Sequence, residues 1–331
     1  MFKMDNELKM EYLNEKPTKT AKSDAFVLRL ADEYEELINK SLYNMSYSEL
    51  NQLLAWKFKN STSKAISKNI SVLKTYVDFC IDKNMVVHGE NRFAAFTLED
   101  FSNFINKQAV KMRFLTKEEL ENSKNILYNA QDKLLLELLF TGIKGRPTQE
   151  GTLEEIINLR WRDVDEGNRT IILTQNDGKH RILEDVPAST IGMIKDAYNQ
   201  EYYTENNGKM TNNLRLSAPK DFLINHVEDY VLRIPGKNRY LRFGTSLLNS
   251  RLRKIQKYLD NHYITYISLY MSGMFNMLLE IQHEKGELTK DDYLVVCNRF
   301  NYAFNEDNGE GRYWSILRTS YNEFLEVKGL Q

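Results

Sequence analysis

The segment Phe114–Asp165 constrains the fold of this chain more than any other stretch, because several strong local signals follow one another in it. It opens with a capping box, in which Thr116 accepts hydrogen bonds from first-turn amides and Glu119 reaches back to the cap. The nearly unbroken apolar run Leu134–Phe140 predicts a helix that is buried on all sides. The turn Thr141-Gly142-Ile143-Lys144 ends this helix. The segment therefore predicts the start of a helical domain with its own core.

A β-hairpin follows this helical segment. Strands are predicted at 170–173 and 181–183, and the Asp177-Gly178 pair between them suits a tight turn because glycine accepts a positive φ. This is the only strand pair that the pattern supports. The polar, Asn-rich stretch 203–220 predicts a loop, and most of the remaining chain shows the spacing of helices. The predicted fold class is therefore mainly α with a small β-hairpin or sheet.

The chain has 331 residues, which is long enough for two domains with separate cores. Residues 1–20 are polar and predict a short helix or a loose N-terminal arm. Residues 21–107 show a helical pattern, which includes a predicted helix at 64–84. A short basic linker is predicted at 108–113, and a second domain is predicted at 114–331.

The composition gives no sign of several classes of protein. No apolar run approaches the length that crosses a bilayer, and the charged N-terminus lacks the apolar core of a secretory signal. Cys80 and Cys297 stand far apart in apolar surroundings, so both are predicted to be reduced core residues. Neither belongs to a cysteine and histidine cluster of the zinc-binding kind. We therefore expect a cytoplasmic protein without membrane contact, metal or cofactor.

The charged residues are unevenly distributed, although the formal net charge is only −1. Between Tyr230 and Leu259 there are eight basic residues and no acidic residue. A second basic cluster lies between Lys57 and Lys74, whereas acidic residues collect at 32–36 and near the C-terminus. Such a separation allows a chain of near-neutral charge to bind phosphate groups on one face.

The motifs between Phe114 and Asp165 resemble the opening of the catalytic domain of tyrosine recombinases, the phage integrase family. In that family LT-x-EE-L leads into a buried helix, TG-x-R forms a turn, and E-L-L-x-L-x-W-x-D precedes a β-hairpin. The helices at 21–107 resemble, more weakly, the core-binding domain of the same family. The resemblance covers nearly the whole chain. It implies a two-domain tyrosine recombinase-like fold, with a helical core-binding domain and an integrase catalytic-like domain.

The resemblance fails at the catalytic positions. Lys144 stands where the family has its first catalytic arginine, and eight extra residues, 145–152, separate it from the matching Glu155. Ile267 and Tyr270 stand where the H-x-x-R motif of the family has its histidine and arginine. Neither residue type can stabilise a negatively charged phosphorane. The resemblance therefore implies a catalytic-like domain that has lost its chemistry.

Two further family positions give weaker signals. Lys179 follows the hairpin turn, where the family has a lysine that protonates the leaving oxygen, and a solvated turn residue is the alternative interpretation. Tyr321 is the least poor match for the nucleophilic tyrosine, but the preceding L-G-H motif is missing and the chain has 19 tyrosines. Tyr293, Tyr302 and Tyr313 also lie near this place. No catalytic residue is therefore predicted.

Without the catalytic residues, the function that the resemblance still implies is DNA binding. In the family the helix before the H-x-x-R motif enters the major groove, and here that helix is Ser246–Tyr258. It carries asparagine, arginine and glutamine, which are residue types that read base edges, and lysines that suit phosphates. A solvated amphipathic helix is the alternative interpretation. The residues predicted to contact DNA are Lys64, Lys68, Lys74, Lys111, Arg113, Lys144, Arg146, Lys179, Arg181, Lys237, Arg239, Arg242, Asn249, Arg251, Arg253, Lys254 and Lys257.

These observations predict a sequence-specific, double-stranded DNA-binding transcriptional regulator on a catalytically inactive tyrosine recombinase fold. The pattern of lost motifs resembles the integrase-fold master repressors that hold SPβ-type phages of bacilli in lysogeny. A prophage repressor of this kind would act at the nucleoid. A homo-oligomer and a regulatory peptide or protein effector stay open as partners. Three other functions also stay open: a divergent active recombinase or integrase, a non-catalytic accessory factor of recombination, and a protein-interaction module with an incidental basic face.

Overall fold

The computed structural model describes residues 2–58, 63–96, 100, 107–145, 153–210, 218–224, 228–238, 241–302 and 311–330, and of residues 63–65, 107 and 311–313 it describes the backbone alone. The chain divides into an N-terminal unit, Met1–Val110, and a C-terminal unit, Lys111–Gln331. Each unit has its own hydrophobic core. The predicted fold class, mainly α with small sheets, is confirmed.

The N-terminal unit is built from helices that bury one apolar face each. α3 begins at a capping box, in which the side chains of Ser46 and Glu49 satisfy each other's backbone amides. α4 corresponds to the helix predicted at 64–84, and it buries Ile70 and Leu73 in the core. The described helices of this unit are α1 (Asn6–Asn14), α2 (Thr18–Ile38), α3 (Tyr47–Lys57) and α4 (Ser63–Asp82), with short 3-10 helices at Leu42–Asn44 and Arg92–Ala95.

The segment 1–20, predicted as a short helix or a loose arm, belongs to the core of the N-terminal unit. Tyr12 on α1 is buried, and the fully buried ammonium group of Lys9 forms ion pairs with the carboxylates of Asp32 (2.8 Å) and Glu35. A buried ammonium group needs such partners, because it has lost its hydration. Of the two alternatives that the sequence leaves open, the short helix is present as α1. Ion pairs to distant residues hold this helix, although its own sequence is polar.

The C-terminal unit contains most of the helices and two small antiparallel sheets. α5 (Lys107–Arg113) crosses the division between the units, so the segment predicted as a linker is helical. The predicted capping box of Thr116 and Glu119 is present at the start of α6. The other helices are α6 (Lys117–Ile126), α7 (Ala130–Phe140), α8 (Glu154–Asn158), α9 (Ala188–Asn199), α10 (Thr245–Tyr258), α11 (Tyr266–Lys285), α12 (Lys290–Arg299) and α13 (Gly311–Lys328). The strands are β1 (Val164–Asp165), β2 (Thr170–Thr174), β3 (His180–Leu183), β4 (Tyr202–Thr204) and β5 (Asp221–Leu223).

The predicted hairpin is present as β2 and β3. Ile171 pairs with Leu183 in antiparallel register, and β1 extends the sheet along the free edge of β2. Gly178 in the connecting turn has a φ of 81°, as its position predicts. β4 overlaps the stretch 203–220, for which the sequence predicts a loop, at Tyr203 and Thr204, and its partner β5 begins directly after that stretch, so the loop prediction is wrong at its first two residues. These strands have three residues each, which is too short for a visible alternation of apolar and polar residues.

α7 lies at the centre of the C-terminal unit, where it packs against α9 and α11. Its Leu134, Leu136 and Leu138 are fully buried, as the apolar run predicts. α11 approaches α7 so closely at Gly273 that an added Cβ atom would stand 1.8 Å from the carbonyl oxygen of Phe140. Only glycine fits this crossing, because it lacks a side chain.

α10 to α13 are the helices that the spacing of the chain after 220 predicts. The segments 60–63 and 97–100, which carry residues that suit helix N-caps, lie largely outside the described residues. In the described part of the chain, no helix is both long and apolar enough to cross a membrane.

Candidate functional site

Two positions that the family resemblance places in a catalytic centre contact each other. Lys144 follows α7 after a turn at Gly142, which has a φ of 95°. The ammonium nitrogen of Lys144 lies 4.9 Å from the centroid of the Tyr270 ring, a cation–π contact. The Tyr270 hydroxyl donates a hydrogen bond to the carbonyl oxygen of Phe300. Burial lowers the pKa of Lys144 and raises the pKa of Tyr270. Tyr270 is thus buried in the unit, and Lys144 is half-buried against its ring.

Arg181 on β3 uses its guanidinium within the protein. Its Nε and Nη2 atoms lie 2.8 and 2.9 Å from the two carboxylate oxygens of Glu155, which is fully buried on α8. Nη2 also donates to the carbonyl oxygen of Gly142 (2.8 Å), and Nη1 donates to that of Arg299 (3.0 Å). The predicted DNA contact of Arg181 stays a prediction, which these internal hydrogen bonds do not favour. Its donors are engaged because the residue ties β3 to α8 and to the end of α12.

Ile267 and Tyr321 occupy the positions matched to the family's histidine and nucleophilic tyrosine. Ile267 on α11 is 45% exposed and has no charge or hydrogen-bonding side chain. Tyr321 on α13 is 1% exposed, and its hydroxyl donates to Oε1 of Gln282 at 2.7 Å. Its ring packs against Phe324, and burial raises the pKa of Tyr321. The side chain of Tyr313 lies outside the described residues. Tyr321 thus holds its hydroxyl inside the unit.

The described side chains were searched for metal-ligand groups and for reactive cysteines. Among the residues that the structure describes, no three His, Cys, Asp or Glu side chains group together as a metal site requires. Cys80 and Cys297 are buried and form no disulfide, as predicted. Burial raises the pKa of Cys80 to about 12 and that of Cys297 to about 11. Both thiols are therefore protonated at neutral pH, and a protonated thiol is a poor nucleophile and metal ligand.

α10 separates its residues into a buried and an exposed face. Leu248, Leu252 and Ile255 enter the core of the C-terminal unit. The exposed residues follow at spacings of three or four, which one side of an α-helix presents together. Within the described part of the chain, no carboxylate forms an ion pair with the basic residues of this exposed side. We name it the α10 basic face, and it consists of Ser246, Ser250, Arg253, Lys254 and Lys257.

Arg251 does not belong to the α10 basic face. It is 6% exposed, and its guanidinium lies over the rings of Tyr203 and Phe243, at centroid distances of 5.0 and 4.6 Å. Nη1 donates to Oε1 of Gln131 (3.0 Å), and Nε lies 3.6 Å from Oδ1 of Asp132. The predicted base contact of Arg251 stays a prediction, which its burial and its internal hydrogen bond do not favour. The residue is buried because it fixes α10 to α7.

Arg233, which contributes to the acid-free stretch before α10, is also buried. It is 1% exposed, and Nη2 donates to the carbonyl oxygens of Ala197 (3.1 Å), Tyr198 and Gln200 (3.2 Å). Burial lowers the pKa of Arg233 to about 10. The stretch 230–259 therefore presents fewer surface charges than its sequence indicates, because two of its arginines lie inside the unit.

Other basic residues lie on the surface near the hairpin turn. Arg242 is exposed, and its Nη2 lies 3.3 Å from Oδ1 of Asn176 in the turn between β2 and β3. The same turn carries Lys179, whose Nζ lies 3.3 Å from the carboxylate of Asp177. Such exposed ion pairs are weak, so Lys179 stays available to a phosphate. Lys237 is exposed as well.

The other residues of the C-terminal unit that were predicted to contact DNA differ in exposure. Lys111 is exposed, whereas Asn249 is half-buried. Arg113 is half-buried, and burial lowers its pKa. Gln256, counted among the base-reading residue types, donates to the carbonyl oxygen of Ile264. Two predicted residues lie outside the described part of the chain, Arg146 and Arg239.

In the N-terminal unit, the predicted DNA contacts lie on α4. Lys68 is exposed, and its ammonium group donates to Oγ of Ser23 at 2.9 Å. Lys74 is also exposed. The side chain of Lys64 lies outside the described residues. Lys68 and Lys74 thus present positive charge on the surface of this unit, and their contact with DNA stays a prediction.

Two family models match the chain. The model described as MrpR, C-terminal catalytic domain, matches residues 114–329, and the model described as MrpR, N-terminal core-binding domain, matches residues 2–82. The chain belongs to the MrpR family. The two-domain, tyrosine recombinase-like fold that the sequence motifs predict is thereby confirmed.

Individual relatives are distant in sequence. The chain is 22% identical over 308 residues to the SPbeta prophage-derived uncharacterized protein YopR of Bacillus subtilis (strain 168), a match that covers 90% of this chain and 88% of that protein. It is similar to a solved structure of lambda integrase (residues 75-356) bound to DNA, at 10% identity and a TM-score of 0.49, with 93% and 94% of the two chains covered. It is also similar to a XerA recombinase structure, at 16% identity and a TM-score of 0.40, with 96% and 97% covered.

Proposed function

We propose that this protein is a sequence-specific, double-stranded DNA-binding transcriptional regulator of the phage repressor type, which does not cleave DNA. One observation carries the proposal. Lys144 and Tyr270, at two positions matched to catalytic residues, contact each other, and Arg181 is bound to Glu155, whereas the α10 basic face carries cations that have no ion-pair partner among the described residues.

Several properties of α10 support DNA binding. A single α-helix fits the major groove of B-DNA. Arg253 can make a bidentate contact with a guanine edge, and Lys254 and Lys257 suit phosphate oxygens. Because these cations are exposed, a phosphate contact breaks no internal ion pair and releases counterions from the DNA. Arg242 and Lys179, which meet at the hairpin turn through Asn176 and Asp177, add further positive charge to the C-terminal unit.

The loss of strand cleavage is supported by the requirements of phosphoryl transfer. The transition state needs cations aimed at the phosphate oxygens, and the attack needs an accessible nucleophile. Lys144 lies over the ring of Tyr270, and Arg181 is bound to Glu155. The hydroxyl of Tyr321 is buried against Gln282. None of these groups is free to stabilise or attack a phosphodiester.

A regulatory role is supported by the relative whose name describes it as derived from the SPbeta prophage. A prophage protein that binds DNA without cutting it is suited to blocking transcription by occupying promoters. A recombination accessory factor would also bind without cutting, but it would occupy an attachment site. The set of bound sites therefore separates the two roles.

The absence of cleavage is tested with a nicked suicide substrate that contains a bound site. We expect a stable non-covalent complex and no tyrosine-linked adduct on a denaturing gel, while an active tyrosine recombinase on its own substrate serves as the positive control. Tyr321→Phe should leave the complex unchanged. An adduct that forms with the parent chain and disappears in Tyr321→Phe would establish a divergent recombinase instead.

The regulatory role is tested by a genome-wide footprint of the protein in a cell that carries the prophage. We expect many promoters that share one sequence motif, and derepression of the neighbouring genes when the protein is depleted. Occupancy of a single attachment site, with no change in transcription, would assign the protein to recombination.

A further inference from the structure

A cleft of about 290 Å³ opens between α10 and the β4–β5 sheet. Tyr203, Phe222 and Tyr258 contribute aromatic rings to its lining, and Lys237 and Lys254 contribute ammonium groups. The volume lies at the lower end of the range of roughly 300–1,000 Å³ that is typical of small-molecule sites. The occupant of this cleft must therefore be small.

Local backbone geometry places the charged and aromatic groups of the cleft together. Gly236 has a φ of 80°, and a Cβ atom there would stand 3.4 Å from Cδ1 of Phe222. The turn at Gly236 thus brings Lys237 next to the aromatic lining. Lys254 reaches the same cleft from the α10 basic face. Neither lysine forms an ion pair with a carboxylate in the described part of the chain, so both charges are available to an anion.

The lining selects a nucleoside monophosphate among small anions. Two ammonium groups match the double negative charge of a phosphate monoester better than the single charge of a carboxylate. Aromatic side chains stack with nucleobases of any sequence, because every base has a π-face. Glu205 also lines the cleft, and its carboxylate can accept hydrogen bonds from ribose hydroxyls or an exocyclic amine. The charged and the aromatic lining groups thus each have a counterpart on one small molecule.

The cleft is connected to the residues that fix α10. The hydroxyl of Tyr203 donates to Asp132 at 2.9 Å, and the Arg251 guanidinium lies over the Tyr203 ring. A second cavity, of about 120 Å³, shares Tyr203 and Lys254 with the cleft and is also lined by Arg251. An occupant of the cleft therefore contacts Tyr203, which packs against Arg251, and Lys254, one cation of the α10 basic face.

We propose that this cleft binds a nucleoside monophosphate, and that the bound nucleotide competes with DNA for Lys254. The nucleotide site stands independently of the proposed function, whereas its effect on DNA binding rests on it. The two halves are therefore measured separately, first without DNA and then with it.

Binding is measured by titrating the full chain with AMP, GMP, CMP and UMP in a calorimeter, with adenosine and inorganic phosphate as partial ligands. At least one nucleotide should bind with a dissociation constant below roughly 1 mM, and both partial ligands should bind more weakly. Lys254→Gln should weaken nucleotide binding about threefold or more, as loss of an exposed ion pair does. Lys257→Gln, one helical turn away and outside the cleft lining, should leave it unchanged. No saturable nucleotide binding, or equal weakening by both variants, overturns the site.

The competition is measured with a fluorescent duplex at low salt. Saturating nucleotide should weaken DNA binding by the parent chain, whereas DNA binding by Lys254→Gln should no longer respond to nucleotide. If a nucleotide binds but DNA affinity does not change, the competition is refuted and the site survives. If the nucleotide binds and the protein fails to bind any duplex, the proposed function fails while the site stands.

Discussion

The basic residues Lys144 and Arg181 lie in the same unit as the α10 basic face but use their charges in the opposite way. Arg181 is bound to the fully buried Glu155, and Lys144 lies over the ring of Tyr270. Arg253 and Lys254 are exposed and have no ion pair within the described residues. A basic side chain in this fold therefore indicates DNA binding only where its surroundings leave it unpaired.

The two regions also differ in what a substitution should change. An ion pair with a buried member contributes to stability, because breaking it leaves a charge without a partner in a dry environment. An exposed cation contributes little to stability, because water solvates it equally well in the folded and unfolded chain. Substitutions near Arg181 should therefore alter folding, whereas substitutions on the α10 basic face should alter affinity for DNA.

The largest effect is expected for Gly273→Ala, next to the former catalytic positions. The added Cβ atom would stand 1.8 Å from the carbonyl oxygen of Phe140 and 2.9 Å from Phe300. We expect a loss of more than about 4 kcal/mol, seen as failure of the C-terminal unit to fold, because backbone cannot yield as a flexible side chain does. Circular dichroism melting measures this. Gly192→Ala, with no neighbouring atom within 4 Å of the added carbon, is the control and should be neutral or slightly stabilising.

The next largest effect is expected for Arg181→Ala. Removing the guanidinium leaves the buried carboxylate of Glu155 unpaired, so the free energy of unfolding should fall by about 3–5 kcal/mol. Denaturant titration measures the loss. Lys179→Ala, two residues earlier and exposed, should change it by less than about 0.5 kcal/mol. Equal stability of the two variants would contradict a stabilising ion pair between Arg181 and the buried Glu155.

A smaller effect, on specificity, is expected for Arg253→Ala. If its guanidinium contacts a guanine edge, the variant should lose about 1–3 kcal/mol of discrimination between the target and a scrambled duplex. Its melting temperature should stay unchanged, because the side chain is exposed. Lys257→Ala is the matched control, and it should weaken binding to the target and to the scrambled duplex by the same factor. If Arg253→Ala loses the same affinity for both duplexes, Arg253 contacts only the phosphate backbone of the DNA and does not read a base.

The smallest effect is expected for Tyr321→Phe. The variant loses one hydrogen bond to Gln282 and should be about 1 kcal/mol less stable. DNA affinity should not change, since the hydroxyl is buried. A large change in DNA binding with unchanged stability would mean that this tyrosine faces the DNA after all.

The sequence predicted the features that local patterns encode. The capping box at Thr116, the buried helix α7 and the hairpin turn at Gly178 each depend on residues within a few positions of one another. That Ile267 and Tyr270 stand where the H-x-x-R motif of the recombinase family has its histidine and arginine is likewise a prediction from the sequence alone.

The features that the sequence did not reveal concern residues whose surroundings come from distant parts of the chain. The residue type of Arg251 predicts that it reads bases, but its partner Gln131 lies 120 residues away. A local signal was nevertheless present, because Arg251 follows Leu248 by three residues and precedes Ile255 by four, which places it on the buried face of α10. The ion pair of Lys9 with Glu35 gave no such signal, since nothing in a polar N-terminal segment indicates which carboxylates it meets.

The salt dependence of DNA binding in a triple variant of the α10 basic face tests most directly whether this face binds DNA. Arg253, Lys254 and Lys257 are replaced together by alanine, and binding to a fluorescent duplex is titrated at several salt concentrations beside a thermal melt. We expect an unchanged melting temperature, weaker binding, and a log–log salt slope that is shallower by about 0.9 for each phosphate that the variant no longer neutralises. An equally stable variant that binds DNA with the affinity and slope of the parent chain would contradict the assignment of this face to DNA.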